Sequence, residues 1–207
     1  LEIGIAANLV IGLVSAALLA DWPLKRKAAI AAACALLWAA HAANPVPWRD
    51  LALSWGSFRT RSVEPGGFRK FMDNEKEDSE LLYARDGTTA TITVGRRKKS
   101  GETSLFVNGK ADASTGIDMQ TQILLAQLPL LLRPGAREAL IVGFGSGITA
   151  GSALLHPLER LDVVEISPEV IEAEPFFREV NHAPLADPRL RLHIEDAAAL
   201  LRRFDRR

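Results

Sequence analysis

The sequence predicts an α/β fold in which an N-terminal membrane helical hairpin and a small β-hairpin domain precede an incomplete parallel β-sheet. Three patterns support this: apolar runs at the start, strict apolar–polar alternation near the middle, and short apolar runs alternating with helical patterns in the last third. We expect transmembrane helices at residues 1–43, a linker at 44–80, the small β domain at 81–118 and the N-terminal half of the parallel-sheet domain at 119–207.

Charge and cysteine content limit the classes of partner. The 207 residues include 25 Lys and Arg against 25 Asp and Glu, so no bulk charge attracts nucleic acid and no nucleic-acid partner is expected. The single cysteine, Cys34, excludes an internal disulfide and a cysteine-based zinc site.

The chain begins with leucine and ends directly after a helical pattern, which predicts a piece of a longer protein.

The apolar start predicts two membrane helices. Residues 3–20 carry no charge and are long enough to span hydrocarbon, whereas residues 28–43 are rich in alanine and marginal as a span. Between them, residues 21–27 hold Trp22 and a basic cluster typical of cytoplasmic turns. We therefore expect a hairpin in an inner or plasma membrane, with lipid as a partner and the following domain on the cytoplasmic side. A signal peptide and a buried helix pair are the alternatives.

The middle of the chain predicts a loop and then a hairpin. Pro45 and Pro47 end the apolar region, and residues 55–80 have the composition of a solvated loop. Residues 89–94 then alternate as a half-buried strand does, and residues 104–107 predict a second strand. The cations between these strands predict an exposed hairpin tip, with a phosphate-binding patch as the alternative.

A helix and a strand are predicted next. Apolar residues recur at helical spacing over residues 119–132, and Pro129 is expected to kink the last turn because proline has no N–H to donate. Residues 139–142 form a short, wholly apolar run, as in a strand covered on both faces. Such a strand indicates a parallel sheet.

A glycine loop follows that strand, with Gly143, Gly145 and Gly147 around Phe144 and Ser146. A helical pattern resumes directly afterwards, so the loop is a strand-to-helix turn. Glycines at such a turn let the backbone approach a ligand closely, with free N–H groups at the start of the helix. A tight turn needed only for packing is the alternative.

A second strand, at residues 161–164, ends in Glu165. An acidic side chain at that position can accept hydrogen bonds from ribose hydroxyls, and a solvated strand-end carboxylate is the alternative. The dinucleotide fingerprint needs a small residue three positions after Gly145, where this chain has Ile148, so NAD is disfavoured. The pattern favours a Rossmann-like nucleoside-binding sheet of the S-adenosylmethionine methyltransferase type.

The remaining elements complete the predicted half-sheet. Ser167 is expected to cap a helix over residues 168–180, which Pro175 should kink. Residues 189–194 predict a third strand. Asp196, which follows it, has two interpretations of equal weight: a contact to an adenine amino group, or the N-cap of the last helix.

Residues 108–203 resemble the spermidine synthase family of polyamine aminopropyltransferases, and most closely the relatives in which transmembrane helices precede the synthase-like domain. The residues that carry the resemblance are Asn108-Gly109-Lys110, Gln122, Leu128-Pro129-Leu130, the loop from Val142 to Gly147, Val164-Glu165-Ile166 and Glu195-Asp196-Ala197. The resemblance implies a small β domain before a Rossmann-like domain, and transfer of an aminopropyl group from decarboxylated S-adenosylmethionine to putrescine.

The resemblance also implies roles for individual residues. Glu165 would hold the ribose, Asp196 the adenine, and Gln122 would lie near the nucleoside. The implied nucleoside-binding set is Gly143, Gly145, Ser146, Gly147, Glu165, Asp196 and Gln122. The family's proton-accepting aspartate lies in a segment after the fourth strand, beyond this chain, so no catalytic residue is named. Ser146 replaces an acidic residue usual in the loop, and Thr121 stands where the family usually has tyrosine.

Three functions follow for the parent protein. The first is an aminopropyltransferase that takes S-adenosylmethionine or its decarboxylated form as co-substrate, without a metal. The second is an S-adenosylmethionine-dependent methyltransferase, which Ser146 favours. The third is a non-catalytic membrane protein that binds a nucleoside. The expected acceptor is a polyamine or another small nucleophile, and a homodimer is one of the open assemblies.

Overall fold

The structure is a computed structural model that describes residues 11, 12, 15, 22–43 and 77–204. The chain divides into two units, Leu1–Pro47 and Trp48–Arg207. In the first unit a helix, α1, runs over Leu24–Ala43. It begins directly after Pro23, whose carbonyl accepts the first hydrogen bonds of the helix, as proline before a helix start allows.

The predicted membrane localisation is contradicted. No helix in the described part of the chain is both long enough and apolar enough to cross a bilayer. Helix α1 starts before the predicted residues 28–43 and takes the basic cluster into its first turn, and most of the rest is alanine, which buries little apolar surface. The other predicted span, residues 3–20, lies outside the described residues except for three positions.

The described part of the second unit contains a four-stranded antiparallel sheet in the order β1-β2-β3-β4. The strands are β1 (Ser79–Asp86), β2 (Thr91–Arg97), β3 (Thr103–Val107) and β4 (Lys110–Ser114). Only β2 and β3 were predicted from the sequence. The start of β1 falls within the predicted linker, because its run Ser-Glu-Leu-Leu-Tyr-Ala-Arg-Asp does not alternate between apolar and polar residues.

Strand β2 is buried on both faces rather than on one. Thr93 is 1% exposed, as deeply buried as Ile92 and Val94 on the opposite face. Its cross-strand neighbours are Ala84 and Phe106. The alternation of threonine with aliphatic residues therefore misled the prediction, because threonine fits a buried strand as readily as an exposed one.

The rest of the second unit carries a parallel sheet in the order β5-β6-β7, which confirms the predicted α/β class. Its elements are α2 (Met119–Leu132), β5 (Glu138–Val142), α3 (Ile148–Leu154), β6 (Arg160–Glu165), α4 (Pro168–Glu172), β7 (Leu190–Ile194) and α5 (Ala197–Phe204). Helix α2 has the predicted bounds and continues through Pro129. The two sheets share one core, in which Ile92 and Leu105 join Leu161, Val163 and Phe177.

Two predictions about the parallel sheet were wrong. Strand β5 is an edge strand of the described sheet, not a strand covered on both faces, and Val142 is 63% exposed. The helix predicted over residues 168–180 ends at Glu172, and a separate 3₁₀ helix covers Glu174–Phe177. Pro175 explains the break, because its nitrogen cannot donate to the preceding turn.

Candidate functional site

The glycine loop lies between β5 and α3, where the sequence placed it. Gly143, Gly145 and Gly147 have φ angles of 89°, 57° and 80°, the left-handed region that favours glycine. Gly147 is also the residue that precedes the first turn of α3. A Cβ at that position would lie 2.8 Å from Cζ of Phe144. All three positions therefore favour glycine for their conformation, and Gly147 requires it for packing as well.

Glu165 holds this loop from the neighbouring strand. The residue ends β6 and is buried. Its Oε2 accepts a hydrogen bond from the Phe144 N–H at 2.9 Å, and its Oε1 accepts one from the Ser167 N–H at 2.9 Å. A carboxylate can accept about four hydrogen bonds, so both oxygens retain capacity for hydroxyl donors. The predicted alternative of a solvated carboxylate does not describe this side chain.

Gln122 joins the loop to α2 and to the antiparallel sheet. Its Oε1 accepts a hydrogen bond from the Ser146 hydroxyl at 2.6 Å, and its Nε2 donates to the Ser114 carbonyl at 2.8 Å. Its backbone carbonyl accepts from the Thr149 hydroxyl at 2.9 Å. Ser146 itself is almost completely buried. The side chain that the resemblance placed near a nucleoside thus lies against the glycine loop.

Asp196 caps the last helix. Its Oδ1 accepts the Ala199 N–H at 2.9 Å, which is the N-cap arrangement for α5, and its side chain is exposed. The preceding residue, Glu195, donates its N–H to the Glu165 carbonyl at 3.0 Å. Asp196 is therefore the next residue in the chain after one that is hydrogen-bonded to the Glu165 backbone. Its predicted contact to adenine stays a prediction.

Ser167 does not act as the predicted side-chain cap. No capping bond is made by its hydroxyl, which instead lies 2.7 Å from the Thr89 hydroxyl in the β1–β2 turn. In the same turn Gly87 lies against the Glu169 carboxylate, which a Cβ there would approach to 2.5 Å. The antiparallel sheet thereby contacts the segment that carries Glu165. Sequence periodicity gives no signal for this long-range pair.

A second group that the sequence did not indicate lies beneath the loop. Asn181 is completely buried, and its Nδ2 donates to the Ser146 carbonyl at 3.1 Å. Glu174 is also buried and accepts from the same amide nitrogen at 3.2 Å. Glu174 lies within the helix predicted over residues 168–180, and Asn181 follows that range directly. The sequence predicted a kink at Pro175 but gave no signal that these two side chains lie against the loop.

The basic hairpin between β2 and β3 pairs with a neighbouring acid. Lys99 Nζ lies 2.8 Å from Asp78 Oδ1. The Lys99 ammonium lowers the pKa of Asp78, and the carboxylate raises the pKa of Lys99. Both side chains are largely exposed. This arrangement is that of an exposed hairpin tip, as predicted.

Metal chemistry has no donor set in the part of the chain described. Within residues 22–43 and 77–204, no group of three or more His, Cys, Asp and Glu side chains is arranged to hold a metal ion. His156 and His193 instead pair with Gln127 and Asp162, at 2.9 Å and 2.8 Å.

Comparison with known proteins finds similar sequences. Residues 119–206 match the model of the spermine/spermidine synthase domain. A polyamine aminopropyltransferase of Corynebacterium efficiens is 32% identical over 127 residues, which are 59% of this chain and 23% of that protein. Putrescine N-methyltransferase 3 of Nicotiana tabacum is 34% identical over 80 residues, 38% of this chain and 21% of that protein.

A solved structure shares the fold. Spermidine synthase from Thermotoga maritima superposes with a TM-score of 0.55 at 23% identity, over 59% of this chain and 43% of that one. The chain therefore spans less than half the length of each of these relatives. Residues 119–206 are therefore similar to part of a spermine/spermidine synthase domain, and a polyamine aminopropyltransferase is among the relatives that match this chain.

Proposed function

We propose that this chain contributes the nucleoside-binding half of a spermidine synthase-like transferase. The enzyme transfers an aminopropyl group from decarboxylated S-adenosylmethionine to a polyamine acceptor. The observation that carries the proposal is the Glu165 carboxylate, which is buried, bonded to the glycine loop through the Phe144 N–H, and still able to accept hydroxyl hydrogen bonds. Ribose diols are recognised in this way at the ends of parallel strands.

Each residue of the proposed site has a part in binding. Glu165 accepts from the ribose hydroxyls, and Gly143, Gly145 and Gly147 let the backbone approach the ligand. Asp196, beyond its capping bond, offers carboxylate oxygen to an adenine amino group. The hydrogen bond between Gln122 and Ser146 fixes the position of the loop relative to α2.

The proposed reaction is a displacement at carbon. A neutral amine of the acceptor forms a C–N bond with the aminopropyl carbon, the C–S bond breaks, and methylthioadenosine leaves as a neutral thioether. The acceptor nitrogen then carries a positive charge and releases one proton to a base. None of the residues assigned to the nucleoside here takes that proton, so their contribution is binding and orientation.

Titration calorimetry of the protein tests the binding claim. The ligands are S-adenosylmethionine, its decarboxylated form and methylthioadenosine, with adenine alone as the control for ribose recognition. We expect heat of binding for at least one adenosyl ligand and much weaker binding of adenine. Absence of binding for all three adenosyl ligands overturns the proposal.

Methyl transfer is the second candidate function. Ser146 supplies only a neutral hydroxyl, and that hydroxyl is committed to Gln122. The loop at residues 143–147 therefore holds no carboxylate to pair with the primary ammonium of the decarboxylated donor. The match to a putrescine N-methyltransferase agrees with this candidate. Mass spectrometry of putrescine incubated with each donor distinguishes an added aminopropyl group from an added methyl group.

The domain division and the assembly belong to the same proposal. The antiparallel sheet corresponds to a small β domain near residues 81–118, and the parallel sheet to the nucleoside domain at 119–207.

A homodimer is the proposed assembly. Sedimentation equilibrium gives its mass, and a monomer at all concentrations would contradict that part.

A further inference from the structure

Both polar atoms of the Asn181 side chain are hydrogen-bonded, and one of their partners belongs to the glycine loop. Its side chain is 0% exposed. Nδ2 donates to the Ser146 carbonyl at 3.1 Å and to Glu174 Oε1 at 3.2 Å, while Oδ1 accepts the Ala183 N–H at 2.9 Å. A buried amide is stable only when such partners are present. These three bonds fix both the position and the rotation of the amide.

Glu174 determines which way the amide points. Its carboxylate is 1% exposed, and its second oxygen accepts from Arg178 at 2.8 Å. An oxygen of Asn181 turned toward this carboxylate would be repelled, so the amide nitrogen must face Glu174. The same nitrogen then reaches the Ser146 carbonyl. The ion pair between the exposed Arg178 and the buried Glu174 is thereby connected to the loop through one buried amide.

The backbone around Asn181 is equally constrained. His182 and Ala183, which follow it, have φ angles of 60° and 47°, which are uncommon for residues other than glycine. A Cβ at Gly151 would lie 1.8 Å from the Asn181 carbonyl oxygen, and one at Gly147 would lie 3.0 Å from its Nδ2. Strained residues persist where surrounding contacts determine them. The turn at residues 181–183 is thus held tightly against α3 and the loop.

We infer that Asn181 is the positioning residue of the glycine loop. By holding the Ser146 carbonyl from below, it sets the direction of the Ser146 hydroxyl toward Gln122 and the conformation of the loop backbone. It acts on nucleoside affinity through the loop. The effect on affinity rests on the proposed function, whereas the effect on loop order does not.

The test replaces the donor by an acceptor of the same size. Asn181→Asp removes both Nδ2 hydrogen bonds and places a carboxylate against the Ser146 carbonyl and Glu174. The control is Asp162→Asn, which perturbs another buried side chain, one bonded to Arg160 and His193 in the parallel sheet. Hydrogen–deuterium exchange is measured at the backbone amides of residues 144–148. The two variants are compared under conditions in which their free energies of unfolding are equal.

We expect the loop amides of Asn181→Asp to exchange at least about tenfold faster than those of Asp162→Asn. We also expect the affinity for methylthioadenosine to fall by about tenfold, which is the size of the net contribution of one hydrogen bond. A double variant, Asn181→Asp with Glu174→Gln, separates folding from positioning. Its glutamine amide pairs with the new carboxylate and restores stability, but nothing donates to the Ser146 carbonyl. It carries the comparison where the single variant does not fold.

Each outcome decides the inference. Fast loop exchange in the double variant, at wild-type stability, supports it. Loop exchange equal to that of Asp162→Asn, or fully restored in the double variant, overturns it. If the wild-type protein binds no adenosyl ligand while Asn181→Asp still loosens the loop, the proposed function fails and the positioning role stands.

Discussion

The Ser146 hydroxyl donates a hydrogen bond to Gln122 Oε1 at 2.6 Å, and this bond joins the glycine loop to helix α2. The other end of the same amide donates to the Ser114 carbonyl at the end of β4. Gln122 therefore connects the antiparallel sheet, the helix and the loop through one side chain. Asp118, 3.5 Å from Nε2, adds a negative charge on the donor side.

Gln122→Glu should destabilise the protein by about 1–3 kcal/mol, the usual cost of unmatched buried polar groups. The substitution keeps an acceptor for Ser146 but replaces the donor with an oxygen that faces the Ser114 carbonyl and the Asp118 carboxylate. Urea denaturation at neutral pH measures the change.

Gln120→Glu is the matched control for that substitution. It adds the same charge to the same helix, but Gln120 is exposed. We expect its free energy of unfolding to stay within about 0.5 kcal/mol of wild type. Equal losses in the two variants would show that the added charge, rather than the lost donor, causes the destabilisation.

Gly151→Ala should be strongly destabilising because the new Cβ would lie 1.8 Å from the Asn181 carbonyl oxygen. The obstacle is backbone, so α3 or the turn at Asn181 must move, at a cost of about 1–3 kcal/mol or more. Gly135→Ala is the control, since no atom lies within 4 Å of its Cβ position. Thermal unfolding distinguishes them, and a wild-type melting temperature for Gly151→Ala would contradict the close approach.

Much of the parallel sheet could be predicted because its signals are local. The apolar period over residues 119–132 and the runs that became β5, β6 and β7 depend on near neighbours in sequence. Strand β1 was missed because its stability comes from pairing with β2, and its own residues do not alternate. The membrane span predicted at residues 28–43 was wrong because the helix there also includes the basic residues 25–27 and is otherwise rich in alanine, which is only weakly hydrophobic.

The residues of the candidate site could likewise be predicted only in part from the sequence. The glycines of the loop could be recognised because a positive φ excludes most other residues. The partners of Ser167 and Asn181 could not, because Thr89 and Ser146 lie 78 and 35 positions away in the sequence. Hydrogen bonds between distant residues leave no periodic pattern, so polar support beneath a loop becomes visible only in the fold.

Glu165→Gln should loosen the glycine loop as well as weaken nucleoside binding. One oxygen becomes an NH₂ group that cannot accept, so either the Phe144 or the Ser167 N–H loses its partner. We expect a loss of about 1–3 kcal/mol in unfolding free energy, and a similar loss in affinity for methylthioadenosine. Glu179→Gln removes an equal charge from an exposed position and should change neither quantity. Affinity unchanged in Glu165→Gln would exclude Glu165 from the binding site.

Tyr83 offers a direct titration because it is the single tyrosine of the chain. Burial raises the pKa of its hydroxyl above the ordinary value, as do its hydrogen bond to Glu172 at 2.8 Å and the charge of that carboxylate. Since the folded state favours the protonated form, the resulting stabilisation is complete below about pH 10, the pKa of an unfolded tyrosine, and is lost as the pH rises toward the folded pKa.

Ultraviolet absorbance of tyrosinate should therefore appear only at a pH well above 10 in the folded protein, and at about pH 10 in urea. Glu172→Gln should lower the folded pKa without restoring it fully, because burial is the larger cause. In Tyr83→Phe the absorbance change disappears, and the free energy of unfolding should fall less steeply above pH 10 than in wild type, since phenylalanine has no proton to lose there. An ordinary tyrosine pKa in the folded protein would mean that the Tyr83 hydroxyl is in solvent and does not donate to Glu172.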